Sequence, residues 1–305
     1  VTAYADLTEE DPTATGLSAE DSIESGSIVT MASAKWGALL LDVATLTRQG
    51  GGRRANSDAM LSRPAFGLFA VADGVSTLPG AAETSRRCLA YLSLGLEGAE
   101  NPTNESVGTA IKGINGRLFA EGRAQRSAVK GGPNPKSTSM GACTLAGMLL
   151  KPDSALEFTV FHVGDAEVWI NLDGDVARVT VPQQVQRPSK RDPSKMVTRL
   201  AAAMGAKPTV SPIVQQFEAS GTGGAVICTD GIAGATDLAA DPWFSSATSN
   251  DVFEERLMSY IQDNQMDDAS VVALRWRPAT AQPFPFSDLH RRIAPTPPTY
   301  REWDL

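Results

Sequence analysis

Histidine is nearly missing from this chain: His162 and His290 are the two in 305 residues. A three-histidine zinc centre or a histidine-rich dinuclear centre is therefore excluded. Cysteine is scarce too. Cys88, Cys143 and Cys228 are odd in number, widely spaced and set in apolar stretches, so no disulfide framework is expected and a reducing, cytoplasmic compartment is inferred. None of the three stands on a phosphate-cradling loop before an arginine, as a cysteine phosphatase requires. No window approaches the roughly 18 consecutive apolar residues of a membrane span. The N-terminus lacks a basic start followed by an apolar run, so no signal peptide is expected.

Basic residues are absent from positions 1–30, which hold seven acids: Asp6, Glu9, Glu10, Asp11, Glu20, Asp21 and Glu24. The whole chain carries 27 basic and 35 acidic residues, so positions 31–305 keep 27 against 28 and are close to neutral. The acidity belongs to one end, and nothing suggests a nucleic-acid surface. Residues 1–30 are read as an acidic flexible tail, having too little apolar surface to repay ordering. Residues 278–305 hold six of the nineteen prolines and are read as a second, extended tail. The body between them, 31–277, is read as one catalytic domain.

Apolar runs over 36–47, 65–73, 139–150, 156–165, 225–231 and 269–276 predict strands. Residues 166–181 predict a hairpin turning at Leu172-Asp173-Gly174-Asp175. Residues 79–96 and 103–127 predict helices, the first from apolar residues recurring at Cys88, Leu89, Leu92 and Leu96. A short helix is expected over 196–204, a loop over 182–195 and a capped helix over 251–262. Two early helices and many strands favour a layered α+β arrangement over regular βαβ alternation.

The chemistry lies in where the acids fall. Asp73-Gly74 and Asp230-Gly231 each end an apolar strand; Asp165 ends another. Asp267-Asp268 precede the last strand, and Asp58 precedes the strand leading to Asp73. One such acid is ordinarily a turn or cap residue. Several on a shared sheet edge would repel one another and raise their own pKa values, unless a divalent cation offset the repulsion. All-oxygen ligands point to Mg²⁺ or Mn²⁺. The sequence GGPNPKST at 131–138 looks like a phosphate-binding loop, but Pro135 stands before Lys136 and a strand follows instead of a helix. Composition leaves a Ser-His-Asp triad open, although neither histidine has a G-x-S-x-G partner.

Taken in order over 41–276, the motifs RRANSDA, FAVADGVSTLPGAAETS, STSMGACTLAGMLL, FHVGDAEVWI, MVTRLAAAMG, AVICTDGIA and DDASVVAL resemble those of the protein phosphatase 2C (PPM) family in its bacterial form. The resemblance implies an α+β, four-layer α-β-β-α sandwich of two antiparallel sheets flanked by helices. It implies a metal-dependent phosphatase hydrolysing phosphoserine and phosphothreonine through a metal-bridging hydroxide, with two Mn²⁺ or Mg²⁺ ions and a third, weaker one. The implied roles place Asp73 between two metals, the Gly74 carbonyl on one of them, Asp230 and Asp267 on the other, Asp58 in the surrounding shell and Asp165 on the third ion. Arg53 matches the phosphate-gripping arginine, with Arg54 as the competing candidate. The implied partner is a phosphorylated protein, the substrate of a Ser/Thr kinase, and the chain is expected to act as a monomer without nucleic acid.

The chain also departs from the family pattern. Ser57 stands where Glu or Gln is usual, Val75 where animal members have His, Glu167 where the hairpin Arg is expected and Asp268 where Asn is usual. Ser57 adds no charge to the site. The alternative reading is therefore a pseudophosphatase, a phosphoprotein-binding module with a weakened metal site.

Overall fold

The structure is a computed structural model. It describes residues 28–36, 39–51, 53, 55–96, 102–128, 141–151, 157–172, 175–190, 192–219, 222–233, 257 and 266–278. The strands, in chain order, are β1 (Ile28–Trp36), β2 (Leu39–Arg48), β3 (Ala59–Arg63), β4 (Leu68–Ala72), β5 (Leu145–Leu150), β6 (Glu157–Val163), β7 (Glu167–Leu172), β8 (Asp175–Arg178), β9 (Gln184–Pro188), β10 (Met196–Leu200), β11 (Ile213–Glu218), β12 (Gly223–Cys228) and β13 (Ala269–Pro278). The helices are α1 (Ala81–Leu96), α2 (Asn104–Ala128) and the single turn α3 (Asp230–Ala233).

Two antiparallel sheets dominate. One runs β1-β2-β13-β12-β7-β8 and the other β11-β6-β5-β4-β3, with β9 and β10 forming a separate hairpin. Side-chain alternation builds the layers. In β4, Leu68, Ala70 and Ala72 face α1 and α2, while Phe69 and Val71 face the opposite sheet. In β13, Val272, Leu274 and Trp276 join that inter-sheet core, while Val271 and Ala273 turn to the outer side with Ile232 and Leu257. Three apolar layers thus separate the helices, the two sheets and the outer face. A strand covered on both sides reads as a continuous apolar run, which is why Leu68–Ala72 carries no polar residue. Phe158 stacks on Phe217, with ring centroids 5.7 Å apart, and tilts against Trp276, locking the two sheets together.

Some expectations change. Residues 196–204 do not form a helix: Met196–Leu200 is β10, paired in register with β9 from Met196↔Pro188 to Leu200↔Gln184. The stretch has helix-forming residues, but β-branched Val197 and Thr198 find a partner strand, and tertiary pairing overrides local preference. The turn is set by Asp192, whose carboxylate accepts from the Ser194 amide and hydroxyl and whose carbonyl accepts from the Lys195 amide. The expected 182–195 loop therefore contains β9. The strand expected over 36–47 is β2, and a further strand, β1, precedes it and begins inside the segment read as tail. The helix expected over 251–262 lies outside the described residues except for Leu257. Among the described residues no helix is long and apolar enough to cross a membrane. All three cysteines are buried and free.

Candidate metal and phosphate site

Strand register brings the acids to one edge. β3 and β4 pair antiparallel with Ala59 opposite Ala72, so Asp58, just before β3, and Asp73, just after β4, lie at the same end of the pair. β6 finishes at that end, with Val163 opposite Leu145 at the start of β5, and Asp165 follows in the tight connection to β7. In the other sheet Cys228, at the end of β12, faces Glu167 of β7 and Val271 of β13. Asp230 and Asp267 therefore stand at the matching edge.

Each acid is held by its neighbours. The Asp73 amide donates to Thr144 Oγ1 at 3.2 Å, and the Thr144 amide donates to the Asp73 carbonyl at 2.7 Å. Asp58 is buried; its Oδ2 accepts from Thr229 Oγ1 at 2.9 Å, while its buried Oδ1 has no hydrogen-bond partner. Asn56 Oδ1 accepts from the Asp58 amide, and Asn56 Nδ2 donates to Thr47 Oγ1. Asp268 is a clamp: Oδ1 accepts from the Gly50 amide and Oδ2 from the Ser57 amide, pinning the loop that carries Arg53. Arg53 Nη2 donates to Asp267 Oδ1, forming an ion pair in which Asp267 is about half exposed. Arg54 lies outside the described residues. His162 is buried in β6 with Nε2 against the Val181 carbonyl at 3.0 Å, and burial lowers its pKa, so it acts as a strand residue.

The carboxylates also sense one another. Burial, then the charges of Asp58, Asp230 and Asp165, push Asp73 well above the ordinary carboxylate range. Burial pushes Asp58 up to about 7, with Asp268 adding to the rise and Thr229 opposing it. Asp230 meets solvent on one side, yet the packing around it and the charges of Asp165 and Asp267 push it up to about 6. Arg53 loses some stabilisation to burial, but Asp267, Asp268 and Asp73 outweigh that loss and hold its charge.

Among the described residues, no three His, Cys, Asp or Glu side chains stand close enough as they are to hold a metal ion. The chemistry of the edge nevertheless fits a hard cation. The donors are oxygens, burial and mutual repulsion raise Asp73 with Arg53 as the paired cation at Asp267, and one buried carboxylate oxygen of Asp58 has no hydrogen-bond partner. Gly74 lets the backbone close around Asp73: its amide donates to the Ser57 carbonyl at 3.1 Å, and an added Cβ would meet that oxygen at 2.6 Å and the Ala81 carbonyl carbon at 2.9 Å. Both obstacles are backbone. Gly74→Ala should therefore destabilise the fold by about 1–3 kcal/mol in urea unfolding, and a midpoint equal to wild type would show that the loop yields freely.

The sequence motifs pointed to Asp58, Asp73, Gly74, Asp165, Asp230, Asp267 and Arg53, and the fold brings their segments to one edge. The supporting residues Thr47, Thr144 and Thr229 carried no signal of their own. Asp268 was visible as an acid before the last strand and as a departure from the family pattern, but its role as a clamp on Gly50 and Ser57 was not.

A doubly layered β-sandwich with helices and an acid-lined sheet edge is the class of protein defined by this fold and site. The protein phosphatase 2C family matches residues 54–272, and the chain belongs to that family. No curated protein matches it. Solved structures share the fold. The PPM Ser-Thr phosphatase MsPP from Mycobacterium smegmatis, in complex with cacodylate, is 24% identical over 76% of this chain and 97% of its own, with a TM-score of 0.55. PppA of Pseudomonas aeruginosa, a regulatory component of its T6SS, is 16% identical over 81% and 100%, with a TM-score of 0.59. The catalytic domain of the serine threonine protein phosphatase PstP, in complex with two manganese ions, is 18% identical over 78% and 99%, with a TM-score of 0.52.

Proposed function

We propose that the chain is a metal-dependent phosphatase that removes phosphate from phosphoserine and phosphothreonine in proteins. The observation that carries the reading is the acid edge, where strand register gathers the segments of Asp58, Asp73, Asp165 and Asp230, burial and the neighbouring charges raise Asp73, and Arg53 pairs with Asp267. Asp73, Asp230, Asp267 and the Gly74 carbonyl would hold two Mn²⁺ or Mg²⁺ ions, with Asp58 in the surrounding shell and Asp165 on a third, weaker one. Those ions, when bound, supply an activated water and offset charge on the transferring phosphoryl group.

The residues of the chain do the rest. Arg53 supplies a fixed guanidinium fork for the phosphate oxygens, oriented through Asp267 and through the loop clamped by Asp268. Arg54 is the second candidate for that contact. Thr144 and Thr229 keep the Asp73 backbone and the Asp58 carboxylate in place. A monomeric enzyme in a reducing cytoplasm belongs to the same reading; the three buried, free thiols bear on the compartment alone. Ser57 favours the second reading, a module that binds phosphoproteins without turnover, because a hydroxyl adds no charge where the family has a longer polar or acidic side chain.

Purified protein given p-nitrophenyl phosphate and a phosphothreonine peptide should turn both over with Mn²⁺ or Mg²⁺ and stop in EDTA. Binding of the phosphopeptide without metal-dependent turnover would select the second reading.

A further inference from the structure

The β9–β10 hairpin forms a small sheet of its own, hydrogen-bonded as a strand to neither of the two large sheets. All five β9 residues are exposed, as are Met196, Thr198 and Arg199 of β10. Its anchorage is polar and concentrated at its base. The Gln183 amide donates to the Gly164 carbonyl at 2.8 Å, and the Gly164 amide donates back to Gln183 Oε1 at 2.8 Å. Gln183 Nε2 donates to the Ser211 carbonyl at 3.2 Å, and the Gln183 carbonyl accepts from the Ala201 amide at 2.8 Å. Gln184 Nε2 then donates to Asp165 Oδ2 at 2.8 Å.

Two consecutive glutamines thus fasten the hairpin to Gly164 and Asp165 in the short connection between β6 and β7. Gly164 sits at a φ of 100°, and a Cβ there would meet the Thr144 side chain at 2.8 Å. The backbone position of that turn is consequently fixed by Gln183 and Thr144. The Asp165 carboxylate is half-buried, and its rotation is fixed by the amide of Gln184.

We propose that Gln184 is a positioning residue that orients the Asp165 carboxylate for a cation and couples that carboxylate to the β9–β10 hairpin. The inference rests on the metal-dependent reading above. The amide occupies Oδ2 and leaves Oδ1 directed by the same bond. Without it, the carboxylate loses the hydrogen bond that orients it among the described residues and must be ordered when a cation arrives. A partner of a metal-ligating group that fixes its orientation commonly changes metal affinity by about tenfold or more. Any displacement of the hairpin, by substrate for example, reaches Asp165 through this bond.

The test is calorimetric titration of the full chain with Mn²⁺, alongside steady-state kinetics on a phosphothreonine peptide. Gln184→Ala should weaken the weakest Mn²⁺ event about tenfold. It should lower activity at limiting Mn²⁺ and leave KM for the peptide unchanged at saturating Mn²⁺. Gln186→Ala removes the 2.7 Å bond from Gln186 Nε2 to Thr198 Oγ1 within the hairpin and should bind Mn²⁺ like wild type. In an Asp165→Asn background, adding Gln184→Ala should cost nothing further. Thermal melts of each variant establish that it is folded. Wild type that binds Mn²⁺ beside a Gln184→Ala variant that binds it equally well overturns the positioning role alone. Equal weakening by Gln186→Ala, or an undiminished effect in the Asp165→Asn background, also overturns it. Wild type that binds no Mn²⁺ overturns the metal-dependent reading and this inference together.

Discussion

Asp73→Asn should abolish metal-dependent hydrolysis of both p-nitrophenyl phosphate and a phosphothreonine peptide. Asp73 is the acid whose environment gathers the charges of Asp58, Asp230 and Asp165, so it stands at the electrical centre of the edge. An amide keeps the shape and the hydrogen bonds of its backbone to Thr144 but offers no anionic oxygen to a cation. A loss in kcat of at least about a thousandfold is expected, equivalent to about 4 kcal/mol of barrier. The fold should survive, because burial among like charges makes the carboxylate charge a burden in the metal-free protein. A variant that melts no lower than wild type in EDTA yet has lost turnover is the expected pair of results. Turnover within tenfold of wild type would place the reaction elsewhere.

The metal-free protein should lose stability as pH rises from about 4 to about 7. Asp58 is fully buried, with its pKa pushed up to about 7 chiefly by burial. In the unfolded chain an aspartate titrates near 3.9. Between those values the folded state binds a proton that the unfolded state has released, so stability is greatest below the unfolded pKa and falls as pH rises through the folded one. This is the reverse of ordinary acid denaturation. For Asp58 the loss is on the order of several kcal/mol, which for a chain of this size lowers Tm by roughly 10 °C. Melts in EDTA at pH 5 and pH 8 measure it. Mn²⁺ should raise the Tm at pH 8 toward its pH 5 value, and Asp58→Asn should shrink the pH-dependent loss without metal, leaving the part that Asp73 and Asp230 contribute. A Tm in EDTA that is as high at pH 8 as at pH 5 would contradict the burial argument.

Much of the edge could be read before folding. Apolar runs such as Leu68–Ala72 announce buried strands, and an acid directly after one is local information. The same locality explains the helices, whose observed bounds Ala81–Leu96 and Asn104–Ala128 fall within two residues of the expected ones. The failures were non-local. Met196–Leu200 became a strand because Gln184–Pro188 was there to pair with it, and β9 has no apolar face to advertise itself. Ile213–Glu218 gave no clear strand signal, because its residues are exposed or only half-buried on the sheet edge.

The sequence by itself determined which acids follow or precede apolar runs, that a histidine-rich metal centre is excluded, and that the motif order resembles that of a protein phosphatase 2C chain. Only the tertiary structure decided how those acids are held. Thr229 reaches Asp58 across 171 residues of chain, Asp268 clamps Gly50 and Ser57 from more than 200 residues away, and Gln184 reaches Asp165 from a separate hairpin. Apolar periodicity is written along the chain because burial is a property of each residue's own side chain. A hydrogen bond between distant residues depends on sheet register and layer packing, which no local stretch of sequence carries.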